Sequence, residues 1–300
     1  MSATTPVAPT AVAPPARAAS AAPRRSRRRL GRVAINLVGL LVFAVMVFPV
    51  YWMVSTAFKT GEDIVSFTPK WFPIPATLEN FSDAIHRPYF WNAVENSLVV
   101  GGVVVGLSLV LAFLAALALA KFRFYGRAAF VVLIIVVQMV PLNALIIPLY
   151  VSLARVGEVN KLTGVIVTYL TFVLPFAIWT LRGFMHGVPR ELEEAAMVDG
   201  SSRFGAFVRI LLPLVAPGLV ATSIFAFIQA WNEFIMAYII LRSPEKQTLP
   251  VWLAGFVTER GTDWGGLMAG ATLTAIPVVV FFLLVQRRIM FGLTAGAVRG

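Results

Sequence analysis

Long apolar runs recur along the chain and constrain its fold more than any other feature. Six of them are long enough to cross a bilayer: 33–54, 97–120, 128–151, 163–181, 214–241 and 266–285. A transmembrane helix needs about 20 consecutive, mostly apolar residues. Inside lipid, only helices and closed barrels satisfy their own backbone hydrogen bonds. The runs therefore predict an all-α, polytopic membrane protein with six transmembrane helices.

Two features predict that these helices pack into a bundle. Pro141, Pro175 and Pro277 lie inside apolar runs, and such prolines are tolerated where neighbouring helices satisfy the freed backbone groups. The spacing Gly102-x-x-x-Gly106 in the second run predicts a close contact between helices.

Composition agrees with lipid as the main solvent. Hydrophobic residues make up 59% of the chain and charged residues 13%, whereas a soluble domain carries about 25% charged residues. A net charge of +11 can indicate nucleic-acid binding. Here the basic residues lie at the ends of apolar runs, so we expect a membrane lipid environment and no nucleic-acid partner.

The residue types present argue against several kinds of catalytic, metal and cofactor site. The chain has no cysteine, which excludes disulfides, thiolate catalysis and cysteine metal sites. His86 and His186 are far apart, and no GxxxxGK[ST] phosphate loop is present. The apolar runs contain no paired carboxylates and no serine–histidine pairing. We therefore expect no enzyme activity, no metal and no cofactor bound by this chain.

Residues 1–32 consist largely of Ala, Pro, Ser, Thr and Arg, without an aromatic residue. This composition predicts a disordered basic tail before a transmembrane domain that occupies residues 33–300. A secretory or twin-arginine signal is the alternative, but the run 33–54 is longer than the 7–15 residues of a signal core.

Lysine and arginine predict the orientation in the membrane. They are concentrated in the tail, in 121–127, in 182–209 and at the C-terminus, and are fewer in the other loops. Loops rich in Lys and Arg stay in the cytoplasm. We expect a multi-pass protein of the cytoplasmic membrane with both termini in the cytoplasm and an external loop at 56–96.

One cytoplasmic segment, 189–213, is charged although apolar runs flank it. Pro189 suits the start of a helix, and the acidic residues that follow suit its N-terminal turn. Gly200 predicts the end of that helix, and Ser201 or Ser202 can cap a second helix that leads to Pro213. The pattern predicts two short helices joined at a glycine; the alternative is an ordinary solvated loop.

The same segment carries a resemblance to a known family. Glu194-Ala195-Ala196, three residues, Gly200, nine residues, Ile210, one residue and Leu212-Pro213 resemble the EAA loop of binding-protein-dependent ABC importer permeases. Further stretches resemble the carbohydrate-uptake branch of that family, in particular the G-type permease subunit of the maltose importer: Trp231-Asn232-Glu233-Phe234, Thr248-Leu249-Pro250, Ile276-Pro277, Gln286-Arg287 and 292–300.

The resemblance implies a type I ABC importer permease fold whose EAA coupling helices dock on a cytoplasmic ATPase. It assigns that contact to Glu194, Ala195, Ala196, Asp199, Gly200, Ile210 and Pro213, and a tail contact with the ATPases to Gly296, Arg299 and Gly300. The implied partners are a second homologous permease subunit, two ABC ATPase subunits that bind ATP and Mg, and an extracytoplasmic sugar-binding protein. The implied substrate is a di- or oligosaccharide, amino-sugar dimers such as chitobiose included.

Glu233 is the one acidic residue that falls inside an apolar run. Because a charge at the bilayer centre costs about 2.5–3.5 kcal/mol on insertion scales, Glu233 is expected to face the bundle interior or a wet cavity. The candidates for lining a translocation pathway are Trp231, Asn232, Glu233, Gln138, Asn143 and Tyr169. The alternative for each is a structural polar contact with another helix or with the partner permease.

Two other functions stay open at this point. An ABC importer permease for a non-sugar solute would share the EAA pattern. An ion-coupled secondary transporter would need ionisable groups within the membrane, and Glu233 alone qualifies; this alternative also leaves the EAA pattern unexplained.

Overall fold

The structure, a computed structural model, describes the backbone of residues 25–294 and the side chains of residues 32–285. The chain divides into two units, one up to Tyr51 and one from Trp52 onwards. The first described helix, α1, runs over Arg25–Ala57. Residues 25–32, which belong to the predicted basic tail, form the first turns of this helix. Arginine is a good helix former, and an existing helix extends at little cost. Residues 1–24 lie outside the described part.

The second unit is built mainly from helices. In chain order they are α2 (Gly61–Ile64), α3 (Glu79–His86), α4 (Phe90–Lys121), α5 (Arg127–Met139), α6 (Ile146–Arg155), α7 (Leu162–His186), α8 (Arg190–Val198), α9 (Arg203–Ala206), α10 (Leu212–Asn232), α11 (Ile235–Ile240), α12 (Leu249–Ala254) and α13 (Trp264–Thr294). Short 3₁₀ turns occupy Leu142–Leu145 and Pro244–Lys246, and a π turn occupies Phe207–Leu211. Strands β1 (Val257–Thr258) and β2 (Gly261–Thr262) form an antiparallel hairpin.

Five helical stretches in the described residues are long and apolar enough to cross a membrane: Arg32–Ala57, Phe90–Lys121, Leu162–His186, Arg203–Asn232 and Trp264–Val285. A sixth is present if the pair Arg127–Met139 and Leu142–Arg155, bent by 92°, counts as one span. The third predicted run is thus not one continuous helix. Pro141 disfavours a helical conformation at Val140, whose backbone is extended.

The fifth predicted run, 214–241, also differs from the structure. Its helix ends at Asn232, the backbone is extended at Glu233, and a new short helix begins at Ile235. The physical reason lies in the Glu233 side chain, which pairs with the backbone of the second helix, as described below.

The central contact of the bundle joins α4 and α7, and α10 packs on both. A stripe of small residues four apart on α4 is fully or almost fully buried: Ser108, Ala112, Ala116 and Ala120. Small residues allow two helix backbones to approach closely. On α10, a Cβ added at Gly218 would lie 2.5 Å from Cγ of Phe184 on α7, so this contact needs a glycine.

The predicted contact at Gly102 and Gly106 is not made within the described residues. A Cβ added at either position meets no atom within 4 Å. The neighbouring Gly101 faces the bundle instead, where an added Cβ would lie 3.6 Å from the ring of Phe227. The glycine spacing therefore lies one residue away from the buried face of α4.

Candidate coupling surface and polar cleft

The first helix of the 189–213 segment has well-defined ends. Pro189 precedes α8, and Glu191 and Glu193 lie in its first turn. At the other end, Ser201 N donates to Ala196 O at 2.9 Å and Gly200 N donates to Met197 O at 3.1 Å. Gly200 has φ +88°, a left-handed conformation that glycine adopts without steric cost. These two hydrogen bonds form a Schellman cap, which confirms the predicted helix end at Gly200.

The second part of the segment is less regular than predicted. Of the two candidate caps, Ser202 starts α9, because its Oγ accepts a hydrogen bond from Gly205 N at 3.0 Å. A π turn then leads to Pro213, and Ile210 lies half-buried within it. The turn lies where Pro213 removes a backbone N–H, so a regular helix cannot continue unchanged.

The surface of this segment presents the residues that the EAA pattern singles out. Glu194, Ala195, Asp199, Gly200 and Pro213 are exposed, and Ala196 and Ile210 are half-buried.

Two large apolar side chains are exposed next to them, Val198 at 87% and Phe204 at 74%. Phe204 was not among the predicted residues, although a phenylalanine within a charged stretch was a usable signal. Adjacent exposed apolar groups beside carboxylates are typical of a protein-docking surface. We call the exposed part of 194–204 the coupling surface.

The coupling surface is fastened to the end of α4. Lys121 Nζ donates to Val188 O at 3.3 Å and forms an ion pair with Glu193. Arg190 Nη2 donates to Lys121 O at 3.0 Å. These contacts join α8 to the C-terminal end of α4, which packs along α7. The ion pair between residues 121 and 193 was not predicted, because these residues meet only through the packing of α4 against α7.

A separate polar cleft of about 340 Å³ lies between the α5 end, α7 and α10. Its walls combine side-chain amides, one carboxylate and aromatic rings: Gln138, Leu142, Phe172, Phe176, Phe225, Gln229, Asn232 and Glu233. The structure thus brings together the predicted residues Gln138, Asn232 and Glu233. Gln229 was missed, although it lies one helical turn before Glu233.

The carboxylate of Glu233 has a structural role in this cleft. Its Oε1 accepts from Met236 N at 2.9 Å and its Oε2 accepts from Ala237 N at 3.2 Å. These N–H groups belong to the first turn of α11, where a helix stabilises negative charge. The charge is therefore compensated by the backbone, which explains how an acidic residue is accommodated in an apolar run.

The structure places the other predicted pathway residues outside the cleft. Trp231 is 2% exposed, and its Nε1 donates to Thr274 O at 3.2 Å. Tyr169 is buried, and its hydroxyl donates to Glu233 O at 3.3 Å. Asn143 is exposed in the 3₁₀ turn Leu142–Leu145 and does not line the cleft. The packing of the helices therefore places Trp231, Tyr169 and Asn143 away from the cleft that Asn232 and Glu233 line.

Two further expectations concern the chain ends and metal ions. Gly296, Arg299 and Gly300 lie outside the described residues. Among the residues that the structure describes, no group of three His, Asp or Glu side chains could hold a metal ion.

Comparison with known proteins identifies the family. Residues 108–295 match the family described as binding-protein-dependent transport system inner membrane component. The diacetylchitobiose uptake system permease protein DasC of Streptomyces coelicolor is 46% identical over 265 residues, which cover 88% of this chain and 96% of that protein. The trehalose transport system permease protein SugB of Mycobacterium tuberculosis is 35% identical over 254 residues, covering 84% of this chain and 92% of that protein.

The fold agrees with that of a solved transporter. The crystal structure of a bacterial ABC transporter involved in the import of the acidic polysaccharide alginate matches with a TM-score of 0.75 at 23% identity, covering 89% of this chain and 99% of the other. The predicted type I importer permease fold is confirmed. By sequence and by fold, the chain belongs to the multi-pass inner-membrane permeases of binding-protein-dependent transport systems.

Proposed function

We propose that this chain is one permease subunit of an ATP-driven importer for a di- or oligosaccharide and forms half of its translocation pathway. The observation that carries the proposal is the coupling surface, a capped and exposed two-helix segment anchored to α4 through Lys121. Relatives named for the uptake of diacetylchitobiose and trehalose support a saccharide as the substrate.

In this proposal, two cytoplasmic ATPase subunits bind ATP and Mg, and one of them receives the coupling surface. Val198 and Phe204 enter an apolar groove of the ATPase, while Glu194 meets basic groups at its rim. Closure of the ATPases on ATP displaces α8, and the Lys121–Glu193 pair passes the displacement to α4. Because α4 packs on α7, which contributes Phe172 and Phe176 to the polar cleft, the cleft opens or closes in response.

The polar cleft provides the chemistry that a saccharide needs. The amides of Gln138, Gln229 and Asn232 can donate to and accept from sugar hydroxyls. The rings of Phe172, Phe176 and Phe225 present apolar faces to the C–H surfaces of a pyranose. A second, homologous permease subunit completes the pathway, and an extracytoplasmic binding protein delivers the saccharide.

The experiment that tests this proposal uses two exposed valines in a chain without cysteine. Val198 lies on the coupling surface, and Val257, 58% exposed, lies on the β1–β2 hairpin. We would prepare Val198→Cys and Val257→Cys as separate variants in the full transporter. We expect position 198 to cross-link to a cysteine in the ATPase groove in a nucleotide-dependent manner. We expect position 257 to react with a membrane-impermeant thiol reagent from outside the cell and not to cross-link to the ATPase.

Each part of the proposal has its own contrary result. Labelling of position 198 from outside the cell would show that the orientation in the membrane is opposite to the proposed one. A correctly assembled complex without nucleotide-dependent cross-linking at position 198 would refute the coupling role. Uptake is measured in proteoliposomes with radiolabelled N,N′-diacetylchitobiose, trehalose and arabinotriose. If a complex whose cross-link responds to nucleotide takes up none of them with ATP, the proposal that the substrate is a saccharide is refuted.

A further inference from the structure

A second cleft, of about 410 Å³, lies where the end of α1, α2 and the start of α13 meet. It shares no lining residue with the polar cleft described above. Trp52, Thr56 and Lys59 form one wall, Asp63 another, and Trp264 the third. Its volume lies within the range of about 300–1,000 Å³ that is usual for small-ligand sites.

Two buried polar atoms in its walls lack a hydrogen-bond partner among the residues that the structure describes. They are Oγ1 of Thr56, whose residue is 7% exposed, and Oδ2 of Asp63, whose residue is 9% exposed. Buried polar atoms are nearly always paired. The other oxygen of Asp63 is held in an ion pair by Lys70, so the carboxylate is fixed with one oxygen left for a donor.

The walls of this cleft are held rigidly by Asn80. Its Nδ2 donates to Ala57 O at 2.9 Å and to Lys59 O at 2.8 Å, which ties the chain after α1 to α3. A Cβ added at Gly265, next to Trp264, would lie 2.2 Å from Asn80 Oδ1, so the start of α13 also approaches Asn80 closely. Such preorganised walls reduce the ordering cost of binding a ligand.

The ammonium of Lys59 completes the wall to which Trp52 and Thr56 belong. The residue is 2% exposed, and its Nζ lies 3.8 Å from the centre of the Trp52 ring. A cation in this position is attracted by the ring and keeps the indole in place. Burial lowers the pKa of Lys59, and the nearby charge of Asp63 opposes that shift.

The unpaired atoms indicate the chemistry of the ligand. A carboxylate oxygen without a partner accepts a hydrogen bond from a donor such as a hydroxyl group. The Thr56 hydroxyl donates and accepts, and the half-exposed indole of Trp264 offers an apolar ring face. Several hydroxyl groups around a C–H face are the features of a pyranose.

From these contacts we infer that the cleft is a second saccharide-binding subsite, on the side from which the substrate arrives. The inference rests on the proposed function, because the orientation and the substrate class come from it. A saccharide hydroxyl donates to Asp63 Oδ2, another pairs with Thr56 Oγ1, and the ring packs on Trp264.

The test compares two buried threonines. Thr56 and Thr222 are both buried with an unpaired hydroxyl, but only Thr56 lines this cleft. We would purify the full transporter, without its binding protein, in lipid nanodiscs and titrate it with N,N′-diacetylchitobiose, using saturation-transfer NMR. We expect Thr56→Val and Trp264→Leu to weaken the Kd by roughly fivefold or more, as for the loss of one hydrogen bond or one ring contact. Thr222→Val is expected to leave the Kd unchanged.

Thermal unfolding of the same complexes separates binding from folding. Replacing either threonine by valine removes an unpaired buried hydroxyl, so neither variant should lower the melting temperature. Equal Kd values for the wild type, Thr56→Val and Thr222→Val overturn the subsite. If uptake by the wild type and by Thr56→Val then proceeds with the same KM, the proposed function stands without it. If the wild type neither binds nor transports any of the three saccharides, both fail.

Discussion

Loss of the Lys121 ammonium is expected to release α8 from the end of α4. The side chains of Lys121 and Glu193 are 12% and 22% exposed, and the ammonium also holds Val188 O at 3.3 Å. Fully exposed ion pairs contribute about 0.2–1 kcal/mol, and hydrogen bonds to charged groups contribute about 1.5–3 kcal/mol. Because solvent still screens this pair in part, we expect about 1–2 kcal/mol, or roughly a five- to thirtyfold shift in the local opening equilibrium.

The assay is amide hydrogen exchange over residues 194–198, which reports the free energy of local opening. Lys121→Met and Glu193→Met should each lower the protection of these amides by roughly five- to thirtyfold. The double variant should lose little more than either single variant, because the two residues act through one contact. Lys246→Met serves as the matched control, since Lys246 Nζ donates to Asn160 O at 2.9 Å, away from α8.

The same variants test whether the contact matters for coupling. We expect ATP hydrolysis by the assembled transporter to respond less to the binding protein in Lys121→Met than in Lys246→Met. Unchanged protection of α8 in Lys121→Met, or purely additive losses in the double variant, would refute the anchoring role of this pair.

Three further substitutions test the packing and capping described above. Gly218→Ala places a Cβ 2.5 Å from the phenyl ring on α7; overpacking of about 1–3 kcal/mol should lower the melting temperature of the complex, whereas Gly106→Ala should not, and equal melting temperatures would contradict the close approach. Glu233→Ala removes the cap of α11 and should cost about 1 kcal/mol; faster exchange of the first amides of α11 is expected, and unchanged exchange would contradict the capping role. At Glu158 the hydrogen bond from Thr163 is the main cause of a lowered pKa. The ionised Glu158 carboxylate therefore stabilises the fold fully at a pH above its ordinary pKa of 4.5. This stabilisation is lost as the pH falls through the lowered pKa. The stability difference between the wild type and Glu158→Gln should close at acidic pH, and a pH-independent difference would contradict this reading.

Local sequence patterns anticipated the elements that depend on neighbouring residues. The end of α8 at Gly200 follows from the need for a left-handed backbone, and one of the two candidate caps, Ser202, begins α9. The helix break in the third run was not predicted, but it also has a local cause in Pro141; its 92° angle does not follow from that residue. Each of these features is decided within a few residues, where backbone geometry and hydrogen bonding leave little choice.

Local sequence patterns did not predict which residues are buried where the packing of whole helices decides which face of a helix meets its neighbours. Gly102 and Gly106 have the spacing of a contact motif, but α4 turns Gly101 and the stripe from Ser108 to Ala120 towards its neighbours. Trp231 and Asn232 are adjacent in α10, yet the first is enclosed in the core and the second reaches the cleft. A helix periodicity near 3.6 residues separates side chains that are adjacent in sequence.

The sequence by itself determined the class of the protein, the number of apolar runs and the position of the coupling surface, because these depend on hydropathy, backbone conformation and a contiguous motif. Only the tertiary structure decided that Lys121 holds Glu193, that Gln138 meets Asn232 across a cleft, and that Thr56 and Asp63 share another. Such pairs come from distant parts of the chain, and their meeting depends on how whole helices pack. No short stretch of sequence carries that information.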